Sequence, residues 1–256
     1  MITIKSSREI ESMAQAGAIL ADTLAEIESH VRPGVSTEDL DRIAEDFIRS
    51  HLGATPSFKG LYDFPKTLCT SINDEIVHGI PSPKRVLKEG DVVSVDCGVC
   101  LDGLHADSAK TFAVGEISED AQRLLDVTEE SLMAGIRAAT LNNRIGDIGS
   151  AIQKVAEDAG FGVVRELVGH GIGTQFHEEP QVPNFGTPGT GVRLVEGMTI
   201  AIEPMLNAGT IRTRTLKDKW TVATLDGELS AHFEHTVLIQ ADGPRIMTQQ
   251  PAIQPV

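Results

Sequence analysis

The sequence predicts an α+β fold in two pseudo-symmetric halves, each a pair of helices followed by strands. Three observations carry this. Helical spacing of apolar residues comes first in each half, alternating strand patterns follow, and the plan then restarts. Leu40 and Ile148 open corresponding helices 108 residues apart. Glu89-Gly90 and Glu196-Gly197 enter corresponding strands 107 apart, the same offset that separates Asp96 from Glu203. Matching offsets at helix, turn and carboxylate make chance the weaker explanation and point to a site on a pseudo-twofold axis.

The elements follow in order. Ser6 and Glu9 read as a capping box, with Ile10, Met13, Gly17, Leu20 and Leu24 along one helical face. Pro33-Gly34 breaks that helix, and Ser36 and Thr37 cap a second, with Leu40, Ile43 and Phe47 inward. Residues 91–100 alternate as a strand, Asp102-Gly103 signals a hairpin, and the return strand runs to about Thr111. In the second half Ser118 opens a helix through Leu125, Leu132 and Ile136, and Asp147 opens another through Ile148, Ile152 and Val155. A glycine-rich segment at 169–173 precedes a strand at 199–203 and an Asp226-Gly227 hairpin ending in a strand at 231–239. No Pro/Ser-rich linker separates the halves, so one domain over 1–256 is expected, with halves of about 1–115 and 116–247.

Composition narrows the function. The 256 residues carry 37 acidic and 22 basic side chains, a net charge of −15, which repels phosphate backbones and argues against nucleic acid as a direct substrate. Cys69, Cys97 and Cys100 are too few and odd in number for a disulfide framework, which implies a reducing, cytoplasmic compartment. Cys97 and Cys100 have the spacing of a redox or zinc pair, but residues three apart on a strand point to opposite faces, and no second pair completes a zinc site. Charged residues interrupt any signal-peptide-like run near the start, and no apolar stretch is long enough to span a membrane.

Four acids lie inside apolar strand patterns, which disfavour carboxylates: Asp96, Asp107, Glu203 and Glu234. If the hairpin pairs 96 with 107, both aspartates project from one face. A single such acid reads as a solvated strand face; four of them, two related by the repeat, read as a site. Clustered carboxylates repel and raise one another's pKa. Their charge of −4 is neutralised by two divalent cations, and oxygen ligands with one imidazole suit Mn, Fe(II), Co or Zn. Spacing alone does not choose among the imidazoles of His78, His105, His170 and His177, while His30 and His51 read as surface residues near helix ends. The His-Glu-x-x-His pattern of mononuclear zinc helices is absent.

The chain resembles the type I methionine aminopeptidases, which have the pita-bread fold. The match covers residues 6–247 and rests on Thr70-Ser71-Ile72-Asn73 through His78-Gly79-Ile80-Pro81, Asp96 with Asp107, Gly169-His170-Gly171-Ile172-Gly173, Phe176-His177-Glu178-Glu179-Pro180, Ile202-Glu203-Pro204-Met205, and Glu234-His235-Thr236. The resemblance implies a curved antiparallel sheet covered by helices, in a single catalytic domain. It implies removal of the initiator methionine from nascent proteins by a hydroxide activated between two metal ions. Asp96, Asp107, His170, Glu203 and Glu234 would hold the metals, with Glu203 as general base and His78 and His177 on the substrate. Cys69, Phe64, Phe176 and Trp220 would form the methionine pocket, and Asn73 and Ser230 a monovalent-cation site. The N-terminal methionine of nascent polypeptides is the implied partner, and the ribosome is admitted as another.

Two departures from the family pattern stand out: Leu61 sits where tyrosine is frequent, and Leu141-Asn142-Asn143 replaces a Pro-Gly turn. The 30 residues between Glu203 and Glu234 leave no room for the type II insertion. Competing readings are a proline-specific peptidase on the same fold, a metal-free hydrolase, and a non-enzymatic binding module. The intact ligand positions weigh against the last two, and the absence of a large N-terminal domain against the first.

Overall fold

The computed structural model describes residues 2–249. Two helix pairs are present, α1 (Ser7–His30) with α2 (Thr37–Ser50), and α3 (Glu119–Ala138) with α4 (Ile145–Asp158). The first starts as expected: Glu9 N–H donates to Ser6 Oγ, and Ser6 N–H donates to Glu9 Oε2 at 2.7 Å. Ser36 and Asp39 repeat the box, with Thr37 the first helical residue rather than a cap. The fourth helix begins at Ile145, two residues before Asp147, whose carboxylate accepts from Arg144 N–H at 2.7 Å and so caps from inside the first turn. On α2 the fully buried stripe is Leu40, Ala44 and Ile48, while Ile43 and Phe47 are only half-buried. Between the second pair, where Leu141-Asn142-Asn143 replaces Pro-Gly, Asn142 takes a left-handed turn at φ 77°.

The main sheet has nine strands among the described residues. Its order is Thr55–Pro56, Val92–Leu101, Leu104–Ala113, Glu234–Leu238, Thr199–Ile202, Gly169–Gly171 and Glu178–Val182, with Leu68–Ile72 on the second and Arg245–Ile246 on the fourth. Asp102 (φ 53°) and Gly103 (φ 76°) make a two-residue turn that closes on the pair Leu101↔Leu104. That register sets Asp96 opposite Ala109 and Asp107 opposite Gly98. The two aspartates are therefore diagonal rather than directly paired. A shift of two residues preserves the face, so they still project together.

The second hairpin expectation fails. Val222–Thr224 pairs with Thr213–Thr215 and Glu75–Val77, whereas Ser230–His232 pairs with Met205–Asn207. Gly227 does take a left-handed φ of 82°, but each flank finds a distant partner, so tertiary pairing overrides the local turn signal. The expected strand at 231–239 is broken at Phe233, with Glu234–Leu238 joining the main sheet, and the strand at 199–203 ends at Ile202.

The sequence halves meet in this sheet through Glu234↔Ala109 and His235↔Ser108. Thr236 Oγ1 locks the seam, accepting from Asp107 N–H at 2.9 Å and donating to Asp107 C=O at 2.8 Å. Gly90 (φ 87°) and Gly197 (φ 82°) occupy matching left-handed turns, each donating its N–H at 2.9 Å to the closing strand's carbonyl, Val114 or Ile239. Each helix pair covers its own core. Leu20, Leu40 and Ile48 pack on Val93, Val95 and Cys97; Leu124, Ile148 and Ile152 pack on Ile200, Ile202 and Val237. Each of these large aliphatics contributes about 1.5–3 kcal/mol on burial. Ser108, Lys110 and His235 line a groove beside α1 and α3, so Asp107 and Glu234, one residue away on their strands, face the opposite side.

Candidate metal centre and substrate pocket

On that opposite side lies a pocket of about 340 Å³. Asp96, Asp107, His170, Glu203 and Glu234 all line it. Ligand atoms of Asp107, His170 and Glu234 lie within 4.8 Å of one another. His170 Nδ1 is 2.8 Å from the Gly171 carbonyl. A proton on Nδ1 donated there leaves the Nε2 lone pair facing Asp107 Oδ2 and Glu203 Oε1, each at 3.7 Å. The glycines around it are required, because a Cβ on Gly171 would meet Glu179 O at 2.3 Å and one on Gly169 would meet Ala201 O at 2.3 Å.

The cluster calls for cations. Burial, then the charge of Asp107, holds the Asp96 carboxyl well above the usual carboxylate range. Glu203 and Glu234 are raised by burial and then by Asp107 and other carboxylates, and burial lifts Asp107 to about 7. Asp96 Oδ1, Asp107 Oδ1 and Glu234 Oε1 are buried with no hydrogen-bond partner among the described residues. Buried oxygens of this kind are normally paired. Hard oxygen donors and one oriented imidazole, left unsatisfied together, fit divalent metal.

Above this floor the histidines are neutral. Burial, then His177, lowers His78 to about 4; burial, then His170, lowers His177 to about 4. The rings of His170 and His177 lie 4.4 Å apart, and Tyr62 stacks on His177 at 5.8 Å. Cys69 pairs with Asp96 across the sheet, and burial keeps its thiol protonated. Phe64 meets Trp220 edge-on at 5.1 Å, and Phe176 packs against Phe58 at 5.2 Å. Gly98 makes room for them, since a Cβ there would meet Phe176 at 2.9 Å and Phe58 at 3.0 Å. All the expected pocket residues are thus gathered in one cavity.

Other placements differ from expectation or add to it. His105 shares Asp107's strand but is not in the pocket lining; its Nδ1 bonds Ser57 Oγ at 2.9 Å, and its ring supports Phe176. Asn73 and Ser230 are neighbours, with Ser230 N–H donating to the Asn73 carbonyl at 2.9 Å. Leu61 lies at the rim, and the tyrosine beside it, Tyr62, reaches His177. Tyr62, Phe58, Met205 and His232 also line the cavity and escaped the sequence reading. The signal for His232 was its place two residues before Glu234, on the same face of a strand pattern.

Helix pairs around a curved sheet, with buried carboxylates and an imidazole at its centre, define a pita-bread metallohydrolase. The model of metallopeptidase family M24 matches residues 11–241, and the chain belongs to that family. It is 56% identical over 248 residues to a methionine aminopeptidase of Clostridium perfringens, covering 97% of this chain and 99% of that one. It superposes on a methionine aminopeptidase from Thermotoga maritima with a TM-score of 0.96 and 44% identity, covering 98% and 100% of the two chains. An Xaa-Pro dipeptidase from Bacillus anthracis shares the fold at 23% identity and a TM-score of 0.76, with this chain spanning 62% of its length.

Proposed function

We propose that this protein removes N-terminal methionine from peptides and nascent proteins, using two divalent ions held by Asp96, Asp107, His170, Glu203 and Glu234. The observation that carries the reading is the set of buried, unpartnered carboxylate oxygens on the floor of an apolar pocket. Methionine release by a metal-dependent hydrolase agrees with the family and with a near full-length relative at 56% identity. The ions would supply a water acidified enough to attack at neutral pH.

The chain's own residues do the rest. Cys69, Phe64, Phe176 and Trp220 present a soft, apolar wall that suits a thioether. Glu203, whose proton affinity is raised by its surroundings, accepts the proton and returns it to the leaving amine. His177 is neutral near pH 7, so one ring nitrogen donates to the oxyanion as it forms. His78, on the same cavity, contacts the scissile amide. Mn, Fe(II), Co or Zn all fit the donor set, and supply decides among them.

The remaining assignments rest on this reading. Residues 1–256 are proposed to form a single catalytic domain with halves of about 1–115 and 116–247; Met1 and the residues beyond Gln249 lie outside the described residues. Asn73 and Ser230, joined by the hydrogen bond from Ser230 N–H to the Asn73 carbonyl, are proposed to belong to a monovalent-cation site. The compartment is proposed to be the cytoplasm, in keeping with three free cysteines, and no helix among the described residues is long and apolar enough to cross a membrane. The ribosome, as the source of new N-termini, is the proposed partner. Hydrolysis of Met-Gly-Met against Gly-Pro peptides tests the specificity: release of methionine alone is expected, and preferential cleavage before proline would overturn it.

A further inference from the structure

We propose that His232 is a second imidazole ligand of the metal centre, the pseudo-symmetric counterpart of Asp107. The proposal rests on the dinuclear reading above and adds a side chain to it. Two independent observations converge on His232.

The first is register. In the first half Gly98 faces Asp107, and Asp96 faces Ala109. In the second half Met205 faces His232, and Ile202 faces His235 in the same register, which brings Glu203 opposite Glu234. Asp96 and Glu203 are related by the 107-residue offset, and so are Gly98 and Met205. The partners then correspond as well: Ala109 with Glu234, and Asp107 with His232. The seam pair Glu234↔Ala109 joins two such counterparts, as expected where a twofold axis crosses the sheet. Of these four strand positions, Asp107, Glu234 and His232 line the pocket, and Asp107 and Glu234 are already assigned as ligands. His232 is the third of them.

The second is an unmet chemical requirement. His232 is 2% exposed and lines the pocket, yet neither ring nitrogen has a hydrogen-bond partner among the described residues. A neutral imidazole carries one donor and one acceptor, and burying both unmatched is destabilising. It shares this condition with Asp96, Asp107 and Glu234, the carboxylates that call for cations. Its Nε2 stands 3.9 Å from Glu234 Oε2, close to the 3.7 Å that separates His170 Nε2 from Asp107 and Glu203. Imidazole nitrogen suits the same borderline metals as the rest of the set. His170, on its strand of the main sheet, and His232, on the strand paired with Met205–Asn207, would then each offer an imidazole nitrogen to the centre.

X-ray absorption on protein loaded with two Co(II) per chain counts the imidazoles directly, and calorimetric Co(II) titration gives the affinities. The expected result is two imidazoles across the two ions. Either His232→Phe or, should that variant fold poorly by circular dichroism, His232→Gln removes one imidazole and weakens one of the two Co(II) steps by roughly tenfold or more. Two bound ions with a single imidazole in the unaltered protein would overturn the proposal and leave the dinuclear reading standing. An unchanged imidazole count in the variant, with only KM for methionyl peptides raised, would overturn it too and make His232 a contact of the substrate. Fewer than two Co(II) bound by the unaltered protein would remove the dinuclear reading itself, and this proposal with it.

Discussion

His170 and His177 lie seven residues apart in sequence and 4.4 Å apart between rings, yet their surroundings give them different chemistry. The Gly171 carbonyl fixes one nitrogen of His170 and turns the other to the carboxylates, while His177 is stacked under Tyr62 at the pocket mouth. Spacing could not separate them, because the separation comes from backbone acceptors and a neighbouring ring supplied by the fold. His170→Ala is expected to lower bound metal per chain. His177→Ala is expected to keep its metal and lose about 10²–10³ in kcat with a smaller change in KM, as for an oxyanion donor. Metal analysis and steady-state kinetics decide, and the reverse pattern would exchange the two roles. Cys69 is 5% exposed and touches the pocket, so Cys69→Leu should raise KM for methionyl peptides more than it lowers the melting temperature. Unchanged kinetics in that variant would make Cys69 a core residue only. Tyr62, 67% exposed and at φ 50°, could not have been picked from a sequence stretch with no period.

At the scale of elements, local signals succeeded where the partner was also local. Asp102-Gly103 gave its hairpin because the chain turns straight back on itself, and the helix caps at Ser6, Ser36 and Ser118 sit where their side chains indicated. The Asp226-Gly227 signal gave a turn but no hairpin, since the strands on either side serve two different sheets. Even the register error at the aspartates was harmless, because an even shift keeps the face. The paired turns at Gly90 and Gly197 give a quantitative check. A Cβ at Gly90 would have space, meeting only Glu116 O at 3.8 Å, so Gly90→Ala should cost about 1–2 kcal/mol from the left-handed φ alone. A Cβ at Gly197 would also meet Ile4 Cγ2 at 2.8 Å, so Gly197→Ala should cost more. Equal losses in urea unfolding would contradict this placement of the N-terminal segment over the second turn.

For the whole molecule, the repeat legible in the 107-residue offset predicted a site at the meeting of the halves, and the carboxylates do meet there. What the offset could not give is the electrostatic cost of that meeting, which follows from burial. Without metal, Asp107 holds its proton up to about pH 7 in the folded chain, against about 3.9 when unfolded, and Asp96, Glu203 and Glu234 are raised as well. A carboxyl that binds its proton more tightly when folded adds stability at acid pH, and that stability is lost as pH rises through the folded value. Divalent ions replace those protons. The gap in melting temperature between metal-loaded and chelated protein should therefore widen from about pH 5 to about pH 8; a gap independent of pH would contradict the clustered-carboxylate picture. The most direct test is stepwise reloading of exhaustively chelated protein, following bound metal and Met-Gly-Met hydrolysis together. No activity is expected in the chelated protein, with recovery as divalent ions return and tight binding saturating at two per chain. Full peptidase activity in the protein without metal would show that the carboxylate cluster does not work through cations.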